Sequence, residues 1–280
     1  MYSAKILADS VSEQGHRLTT MEVCFPRMVL AEFNTHRTFS RNSASSRAIP
    51  IEKQLAKIID QPFIPSYWGA NQSGMQAEHE LDNTAKVQAK TEWIAARDSA
   101  LAHVKNLLTI GLHKQLANRL LEPFMWQTVI VTATEWNNFF ALRANVMAQP
   151  EIRTVAEMML DAYTASTPKL LAEGEWHLPL IQPLEYDGIF EKSADARKIS
   201  AARCARVSYL THDGTRDLAA DIVLYDRLTS GGHMSPLEHT ARPLTSDELT
   251  ESEWRGNFKG WMQLRKLVTH EDDYSQVEKA

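Results

Sequence analysis

The chain opens with alternating apolar and polar side chains, a pattern with the period of a β-strand. Ala4 and Ile6 alternate with polar neighbours, Gln14-Gly15 supplies a turn, and a second run covers residues 18–28. Two such runs on either side of a short turn predict a β-hairpin. Residues 28–33 then take helical spacing, so we expect a helix where the hairpin ends.

Longer helical patterns follow the hairpin. A loop with two prolines and two glycines at residues 61–74 precedes Asp82-Asn83-Thr84, which is a capping sequence. The helix predicted from this cap runs to about Leu108, and Gly111 lies just past its end. Its apolar stripe comprises Val87, Ile94, Leu101, Val104 and Leu108. A second helix is predicted over residues 114–121.

The middle of the chain predicts one strand and two helices. Residues 124–131 are apolar and partly β-branched, as in a strand. Residues 132–135 resemble a capping sequence for a helix that ends at Arg143, and Pro150 suits the first turn of the next helix. The segment 171–188, rich in proline and glycine, is the best candidate for an internal boundary.

The last third predicts more helices and one strand. Ser193 can cap a helix that extends through Cys204, and another helix is expected from about residue 215 to 228. The polar turn 233–239 leads into a predicted strand, and residues 257–266 have the pattern of a short helix.

Composition argues against several classes of protein. A net charge of -5 does not fit a protein that coats nucleic acid through bulk charge. Cys24 and Cys204 lie far apart and have no nearby ligands in sequence, so neither a disulfide framework nor a zinc site is indicated. The N-terminus lacks the pattern of a signal peptide, and no apolar run approaches the roughly 20 residues that span a bilayer. We therefore expect a soluble, cytoplasmic protein in a reducing compartment.

One stretch, residues 35–47, has the composition of an anion site. It holds three arginines, one histidine and four serines, and it stops at Ala48-Ile49-Pro50. Arginine offers a planar fork that binds phosphate through two bonds, and serine hydroxyls add short-range donors. The alternative is a solvated basic turn, because basic clusters alone often have no function.

Two further arginines lie in apolar helical segments. Arg119 and Arg143 could join Arg37 and Arg47 around a phosphorylated substrate, since a guanidinium beside apolar residues needs a partner. The alternative for each is a guanidinium at the surface or paired with a carboxylate such as Glu122. The chain lacks Gly-rich phosphate loops, the Gly-x-Ser-x-Gly elbow and the His-Glu-x-x-His zinc motif.

A metal site has little support in the sequence. His233 and His239 flank a proline and could both be ligands, but no third ligand is obvious. We therefore expect no metal.

Several motifs resemble one known family. His36-Arg37, followed by Ser45 and Arg47, resembles the signature of the flavin-dependent thymidylate synthases, also called thymidylate synthase complementing proteins. Residues 138–143, with Ala148-Gln149 and Glu151-Ile152, are similar to a later helical segment of that family. Residues 117–119 with Pro123 resemble the segment between these two.

Two C-terminal segments resemble the part that opens the usual family member. Residues 201–208 and 232–239 follow the signature here instead of preceding it. The simplest interpretation is a circular permutation, which is physically tolerable when the termini lie close together at the surface. The resemblance implies an α+β fold, an antiparallel sheet flanked by helices. It also implies a single domain over residues 1–280, in which residues 1–170 hold the signature and helical part and 189–280 the usual N-terminal third.

The resemblance also assigns site residues. The dUMP set is Ser45, Arg47, Arg119 and Arg143, of which Ser45 and Arg143 are the predicted catalytic residues. The flavin set is His36, Arg37, Asn138, Ser208, His233 and Ser235. In this family FAD receives a hydride from NADPH, methylenetetrahydrofolate supplies the carbon, and no cysteine nucleophile is required. The family forms homotetramers with active sites shared between subunits, so we expect an oligomer.

The chain departs from the family pattern on the predicted flavin side. Thr35 stands where the family usually has an arginine, and Ser43 where it often has a glutamate. Thr132 and Thr134 stand where asparagine and arginine are common. The lost charges could be supplied by Gln263, Arg265 and Lys266.

Because of these departures, three functions stay open. The first is reductive methylation of dUMP to dTMP. The second is hydroxymethylation or another modification of a pyrimidine nucleotide by the same fold. The third is binding of nucleotides or nucleic acid without catalysis.

Overall fold

The computed structural model describes residues 1–181, 193–208, 217–251, 253–254 and 256–277. The main sheet has five strands, in the order β3-β4-β2-β1-β5. They are β1 (Ser3–Ser12), β2 (Arg17–Pro26), β3 (Ser40–Ser43), β4 (Trp126–Ala133) and β5 (Lys169–Leu171). The first four pair in antiparallel fashion, and β5 is parallel to β1. The predicted α+β fold is confirmed, with one parallel strand added at the edge.

The predicted hairpin is confirmed by β1 and β2. Ala4 pairs with Val23, and the register continues to Val11 and Arg17. Gly15 has a φ of 81° in the connecting turn, a conformation that glycine adopts without steric cost. The turn residue is therefore suited to close the hairpin.

Helices surround the sheet. They are α1 (Leu30–Phe33), α2 (Ile51–Asp60), α3 (Asn83–Thr109), α4 (Lys114–Ala117), α5 (Asn137–Arg143), α6 (Pro150–Ala165), α7 (Ala194–Ala205) and α8 (Leu218–Ser230). Two predicted caps are confirmed. The Asp82 carboxylate accepts from the Ala85 amide at 2.9 Å, and the Ser193 hydroxyl accepts from the Ala196 amide at 3.1 Å. The first residues of the helix predicted from 215 lie outside the described residues.

Alternation along β2 gives the sheet two different faces. Met21, Val23 and Phe25 are fully buried in the main core with Ile152 and Val155 of α6. The residues that alternate with them point to the other face. Thr20, which precedes Met21, is also fully buried there, and the segment around His177 and His239 covers it.

The predicted apolar stripe of α3 is only partly correct. Leu101 and Val104 are buried in a second core with Leu121 and Phe124. Val87 is 67% exposed, because this core reaches toward the start of α3 only as far as Trp93. Periodicity identified the helix and overestimated the length of its packed face.

Two helix predictions were wrong in their detail. Residues 257–266 do not form a helix, because Trp261–Gln263 is a strand, β7, followed by a 3-10 turn over Leu264–Leu267. This strand pairs with Ala241–Pro243, the predicted strand, now β6. Thr132 and Ala133 end β4, and helix α5 begins after Trp136 with no side-chain cap.

Two elements between residues 40 and 60 were not predicted, and one predicted helix, over residues 114–121, has a different geometry. Strand β3 and helix α2 were not predicted. The helix predicted over 114–121 is α4 followed by a 3-10 helix, Asn118–Phe124. The proline at 123 has no amide hydrogen for an α-helical bond, which favours the early change of geometry.

Part of the predicted boundary, residues 182–188, lies outside the described residues. Before this gap, the His177 amide donates to the Ala241 carbonyl at 2.7 Å. Leu171 and Trp261 share a buried cluster with Leu18. The C-terminal segments therefore pack directly on the sheet. The single-domain organisation with a permuted order stays a prediction.

The length and apolar character of the helices bear on membrane insertion. Within the described ranges, no helix combines the length and apolar character needed to cross a bilayer.

Candidate active site

A cavity of about 520 Å³ lies between the loop after α1 and the helix α5. It is lined by Thr35, His36, Arg37, Thr38, Thr134, Glu135, Trp136, Asn137, Asn138, Leu142, Arg143 and Tyr163. The volume falls in the range of about 300–1,000 Å³ typical of small-molecule sites. Four of the predicted site residues line it: His36, Arg37, Asn138 and Arg143.

The loop that begins the cavity is fixed by its own backbone. The Thr35 amide and hydroxyl both donate to the Glu32 carbonyl, at 3.1 and 2.7 Å. Arg41 turns inward, and its Nη1 donates to the carbonyls of Phe33 and His36, at 3.3 and 3.1 Å. Arg41 thus holds the loop in place instead of facing a ligand. The sequence placed it in the basic cluster but could not show its direction.

His36 is held rigidly in the cavity wall. Its ring stacks on Phe39, with centroids 5.7 Å apart, and meets the edge of Phe139 at 4.9 Å. Burial lowers the pKa of His36 below its usual value, and the nearby charges of Arg143 and Arg41 lower it further. The imidazole is therefore neutral at neutral pH.

Arg143 lies at the end of α5 and reaches across the cavity. Its Nε donates to His36 Nε2 at 3.1 Å, and its Nη2 donates to Thr35 Oγ1 at 3.4 Å. Both partners are neutral, and no carboxylate in the described part of the chain forms an ion pair with Arg143. The cavity therefore presents a guanidinium that forms no ion pair with a described carboxylate, although Glu135 also lines it. Such a group can bind an anionic or carbonyl-rich ligand.

The opposite wall is aromatic and polar. Trp136 is almost fully buried, whereas Asn138 and Arg37 are exposed toward the cavity. Tyr163 carries the Arg17 guanidinium over its ring, 3.8 Å from the centroid. The amide and guanidinium donors of this wall suit a ligand with several carbonyl oxygens.

The rest of the predicted dUMP set lies elsewhere. Ser45, Arg47 and Arg119 are not among the residues that line the cavity. Arg119 is half exposed, and its Nη1 donates to Glu122 at 2.6 Å. The paired state considered from the sequence is thus the one observed for Arg119.

Within the rest of the predicted flavin set, the side chains that the structure describes do not line the cavity. His233 and Ser235 are exposed and absent from its lining. Ser208 ends a short 3-10 turn, and its side chain lies outside the described part of the structure. The turn Ser235–Glu238 packs instead against β3, where Ser40 Oγ donates to Glu238 at 2.6 Å.

The expected replacements for the missing charges do not reach the cavity either. Gln263 is buried and donates to Ser40 Oγ at 3.1 Å. Arg265 pairs with Glu238 and Glu271, at 2.6 and 2.7 Å, and Lys266 pairs with Glu271 at 2.6 Å. Their charges are used within the C-terminal segment.

The departures from the family pattern have different surroundings. Thr35 accepts a bond from Arg143. Thr134 lines the cavity and accepts from the Lys259 amide at 3.0 Å. Ser43 is exposed at the end of β3. Thr132 is fully buried and faces away from the cavity.

Thr132 belongs to a buried chain of hydrogen bonds that the sequence did not reveal. The chain links Ser10, His177, Thr20, Thr132, His239 and Asn42 through distances of 2.8, 2.8, 2.7, 2.7 and 3.3 Å. Asn42 offers Oδ1, so His239 donates from Nε2 and accepts from Thr132 at Nδ1. In the same direction, Thr20 donates to Thr132, His177 donates from Nε2 to Thr20, and Ser10 donates to His177 Nδ1. Each ring then carries one hydrogen, so both histidines are neutral.

Burial accounts for the protonation state of these histidines. It lowers the pKa of His177 and of His239 to about 3. Both ring nitrogens of His239, considered above as a metal ligand, already have hydrogen-bond partners. This row of hydrogen bonds crosses four strands and links the C-terminal segment to the sheet.

The family profile described as thymidylate synthase complementing protein matches residues 9–169. This range includes the signature at 36–47 and the segment at 138–152, and it ends before the two C-terminal segments with a resemblance. No curated protein matches the chain.

Among the solved structures that are similar to this chain are two of one enzyme. They show the UMP/dUMP methylase PolB from Streptomyces cacaoi, bound with 5-Br dUMP in one and 5-Br UMP in the other. Each is 18% identical with a TM-score of 0.49, and the aligned part covers 59% of this chain and 90% or 89% of PolB.

Proposed function

Because the chain belongs to the thymidylate synthase complementing protein family, we propose that it is an FAD-dependent enzyme that methylates dUMP to dTMP. Methylenetetrahydrofolate would supply the carbon and NADPH the reducing equivalents, as the family resemblance implies. The observation that carries the proposal is the 3.1 Å contact between Arg143 and His36.

This contact joins two ligand sets. The family pattern assigns Arg143 to the nucleotide and His36 to the flavin. Their side chains touch in one cavity, beside Arg37 and Asn138 of the flavin set. Transfer between a flavin and a pyrimidine requires the two rings to lie next to each other, and a shared cavity supports that arrangement.

The cavity residues fit these ligands chemically. Asn138 and Arg37 can donate to carbonyl or phosphate oxygens, and Arg143 can balance the charge of a nucleotide. FAD, when bound, supplies the hydride chemistry, while the protein orients the reacting rings. His36 keeps Arg143 in place and adds no charge, because its imidazole is neutral.

The cysteines support a route without a thiolate nucleophile. Burial raises the pKa of Cys204 and, less strongly, that of Cys24. Cys204 is fully buried, so its thiol has no access to a substrate. We propose Ser45 and Arg143 as the catalytic residues that contact the nucleotide.

Completion of the site requires a second chain in this proposal. Ser45, Arg47 and Arg119 do not line the cavity with Arg143. We propose that a homotetramer brings the dUMP set of one subunit to the cavity of another, as in family members with shared active sites. The remaining flavin residues, Ser208, His233 and Ser235, would be placed in the same way.

A second function is favoured by one observation. Thr35 stands where the family has an arginine, and its hydroxyl binds Arg143 directly. Compared with a family member that has an arginine at this position, the cavity therefore has one cation fewer and one additional fixed hydroxyl. This change would suit another outcome at the pyrimidine, such as hydroxymethylation, or another pyrimidine nucleotide.

The absorbance spectrum of the purified protein with added FAD tests flavin binding. Mass analysis of the product made from dUMP, methylenetetrahydrofolate and NADPH then distinguishes methylation from hydroxymethylation. A protein that retains no flavin absorbance once unbound FAD has been removed, and that leaves dUMP unchanged, would contradict both functions. Binding of dUMP without turnover would instead support a non-catalytic nucleotide-binding protein. Binding of short single strands that weakens steeply with salt would indicate a nucleic-acid partner.

A further inference from the structure

Asn118 is fully buried, and only half of its amide is bonded. Its Nδ2 donates to the carbonyl oxygen of Ser46 at 3.0 Å. Its Oδ1 is buried and has no hydrogen-bond partner among the described residues. A buried acceptor without a partner costs about 1–3 kcal/mol, while the Nδ2 bond keeps the Ser46 carbonyl paired. What this asparagine contributes is therefore the fixed contact with Ser46.

The bond from Asn118 fixes a loop whose start is also held to the sheet. Ala44 donates from its amide to the Thr128 carbonyl at 2.9 Å and accepts from Gln127 Nε2 at 2.8 Å. Beyond Ala44, the loop turns through a bond of 3.0 Å from the Ala48 amide to the Ser45 carbonyl. Asn118 holds the centre of this turn at Ser46, which is buried.

The same residue also fixes the start of the helix beside the loop. Asn118 is the first residue of the 3-10 helix Asn118–Phe124, and Arg119 is the second. The Arg119 guanidinium donates to Glu122, which also pairs with Arg27 at 2.9 Å. One carboxylate thus serves two cations, and Arg47 is exposed on the facing loop.

We propose that Asn118 is a positioning residue for an anion subsite formed by Ser45, Arg47 and Arg119, which takes the phosphate monoester of the nucleotide. Its amide sets the separation between the loop that carries Ser45 and Arg47 and the helix that carries Arg119. A fixed separation means that the loop and the helix lose less conformational entropy when the ligand binds, which strengthens binding. The nature of the nucleotide rests on the proposed function.

The test compares Asn118→Leu with the wild type in calorimetry with dUMP, deoxyuridine and inorganic phosphate. Leucine keeps the buried volume but leaves the Ser46 carbonyl without its donor, so the thermal midpoint should fall modestly and binding is compared well below it. We expect the Kd for dUMP to rise about tenfold, equivalent to about 1.4 kcal/mol. The Kd for deoxyuridine, which lacks the phosphate, should stay within about twofold. Asn106→Leu, on the exposed surface of α3, is the matched control and should change neither value.

Each outcome decides the proposal. A folded Asn118→Leu that binds dUMP like the wild type, or that loses dUMP and deoxyuridine equally, overturns it. If the wild type binds phosphate in an Asn118-dependent way but neither nucleoside nor nucleotide, the anion subsite stands and the proposed function fails. If it binds neither phosphate nor dUMP, both fail. Should the leucine variant not fold, Asn118→Ala, which removes the Nδ2 donor without adding a charge, is judged by the same criteria.

Discussion

Arg143 donates a hydrogen bond from Nε to Nε2 of His36, and this bond determines the protonation of the imidazole. The accepting nitrogen must carry a lone pair, so the ring hydrogen lies on Nδ1. A protonated His36 would put a second cation against the guanidinium and break the contact. The geometry of Arg143 is thus tied to a neutral histidine.

The first prediction concerns Arg143 itself. Arg143→Ala should weaken dUMP binding by about 10–150-fold, because hydrogen bonds to charged groups contribute about 1.5–3 kcal/mol. The fold should change little, since the side chain is only partly buried and its two partners are neutral. Calorimetry measures the affinity, and circular dichroism checks the fold. Arg153→Ala, which removes a surface pair with Glu157, is the control. Unchanged dUMP affinity in Arg143→Ala would show that the assignment is wrong.

The second prediction concerns the titration of His36. Its pKa lies below the usual value of about 6.5 because of burial first and the Arg143 charge second. Arg143→Ala removes the neighbouring cation, so the pKa of His36 should rise while burial still keeps it below 6.5. NMR titration of the ring protons measures this directly. A fall in the pKa of His36, or no change, would contradict the contact.

Local signals predicted much of the fold, and the exceptions have a common cause. Ser193 and Asp82 were recognised as caps because the residue and its amide partner lie three positions apart. Strand β7 was not recognised, because Trp261 owes its strand geometry to β6 and its burial to distant residues. Pairing between distant segments leaves no pattern within either one.

The candidate site shows the same limit. The residue types around Arg143 and His36 were predicted, since the signature and the α5 segment each have a recognisable sequence. The roles of Arg41 and Asn118 were not predicted, because the direction of each side chain depends on its hydrogen-bond partner. Arg41 donates to the carbonyls of Phe33 and His36, and Asn118 donates to that of Ser46. Sequence spacing contains no information on which way such a side chain turns.

The third prediction concerns acid stability. His177 and His239 have a pKa of about 3 when folded and about 6.5 when unfolded, so the unfolded chain binds protons more readily. Their contribution is complete above pH 6.5 and is lost progressively as the pH falls from 6.5 toward 3. Each histidine lowers the free energy of unfolding by up to about 1.4 kcal/mol per pH unit in this window. His36 adds to the loss in the same direction.

Urea unfolding between pH 7 and pH 5 measures this effect. Carboxylates with a lowered pKa, such as Glu248 and Glu271, also stabilise the fold. Their contribution is lost only as the pH falls below their unfolded pKa of about 4.5, so it does not affect the comparison between pH 7 and pH 5. His239→Gln, which can keep a polar contact and cannot titrate, should show a smaller slope than the wild type. A wild-type stability that stays constant from pH 7 to pH 5 would contradict the burial of neutral histidines.

The last prediction concerns the ion pairs that join α7 to α8. The Asp221 carboxylate accepts from Arg203 and Arg206, both at 2.9 Å. The Arg203 side chain is only 3% exposed, so Asp221→Ala would remove a carboxylate that is bonded to a buried guanidinium. Breaking a buried pair by removing one partner costs about 3–5 kcal/mol.

Asp226 provides the matched control on the same helix. Its side chain is 61% exposed and lies 3.6 Å from Lys198, so Asp226→Ala should cost no more than about 1 kcal/mol. The urea midpoint of each variant, at an unchanged slope, gives the comparison. Equal midpoints for the two variants would mean that Asp221 does not stabilise a buried charge. A selective loss in Asp221→Ala would show that the pairing of α7 with α8 depends on this carboxylate.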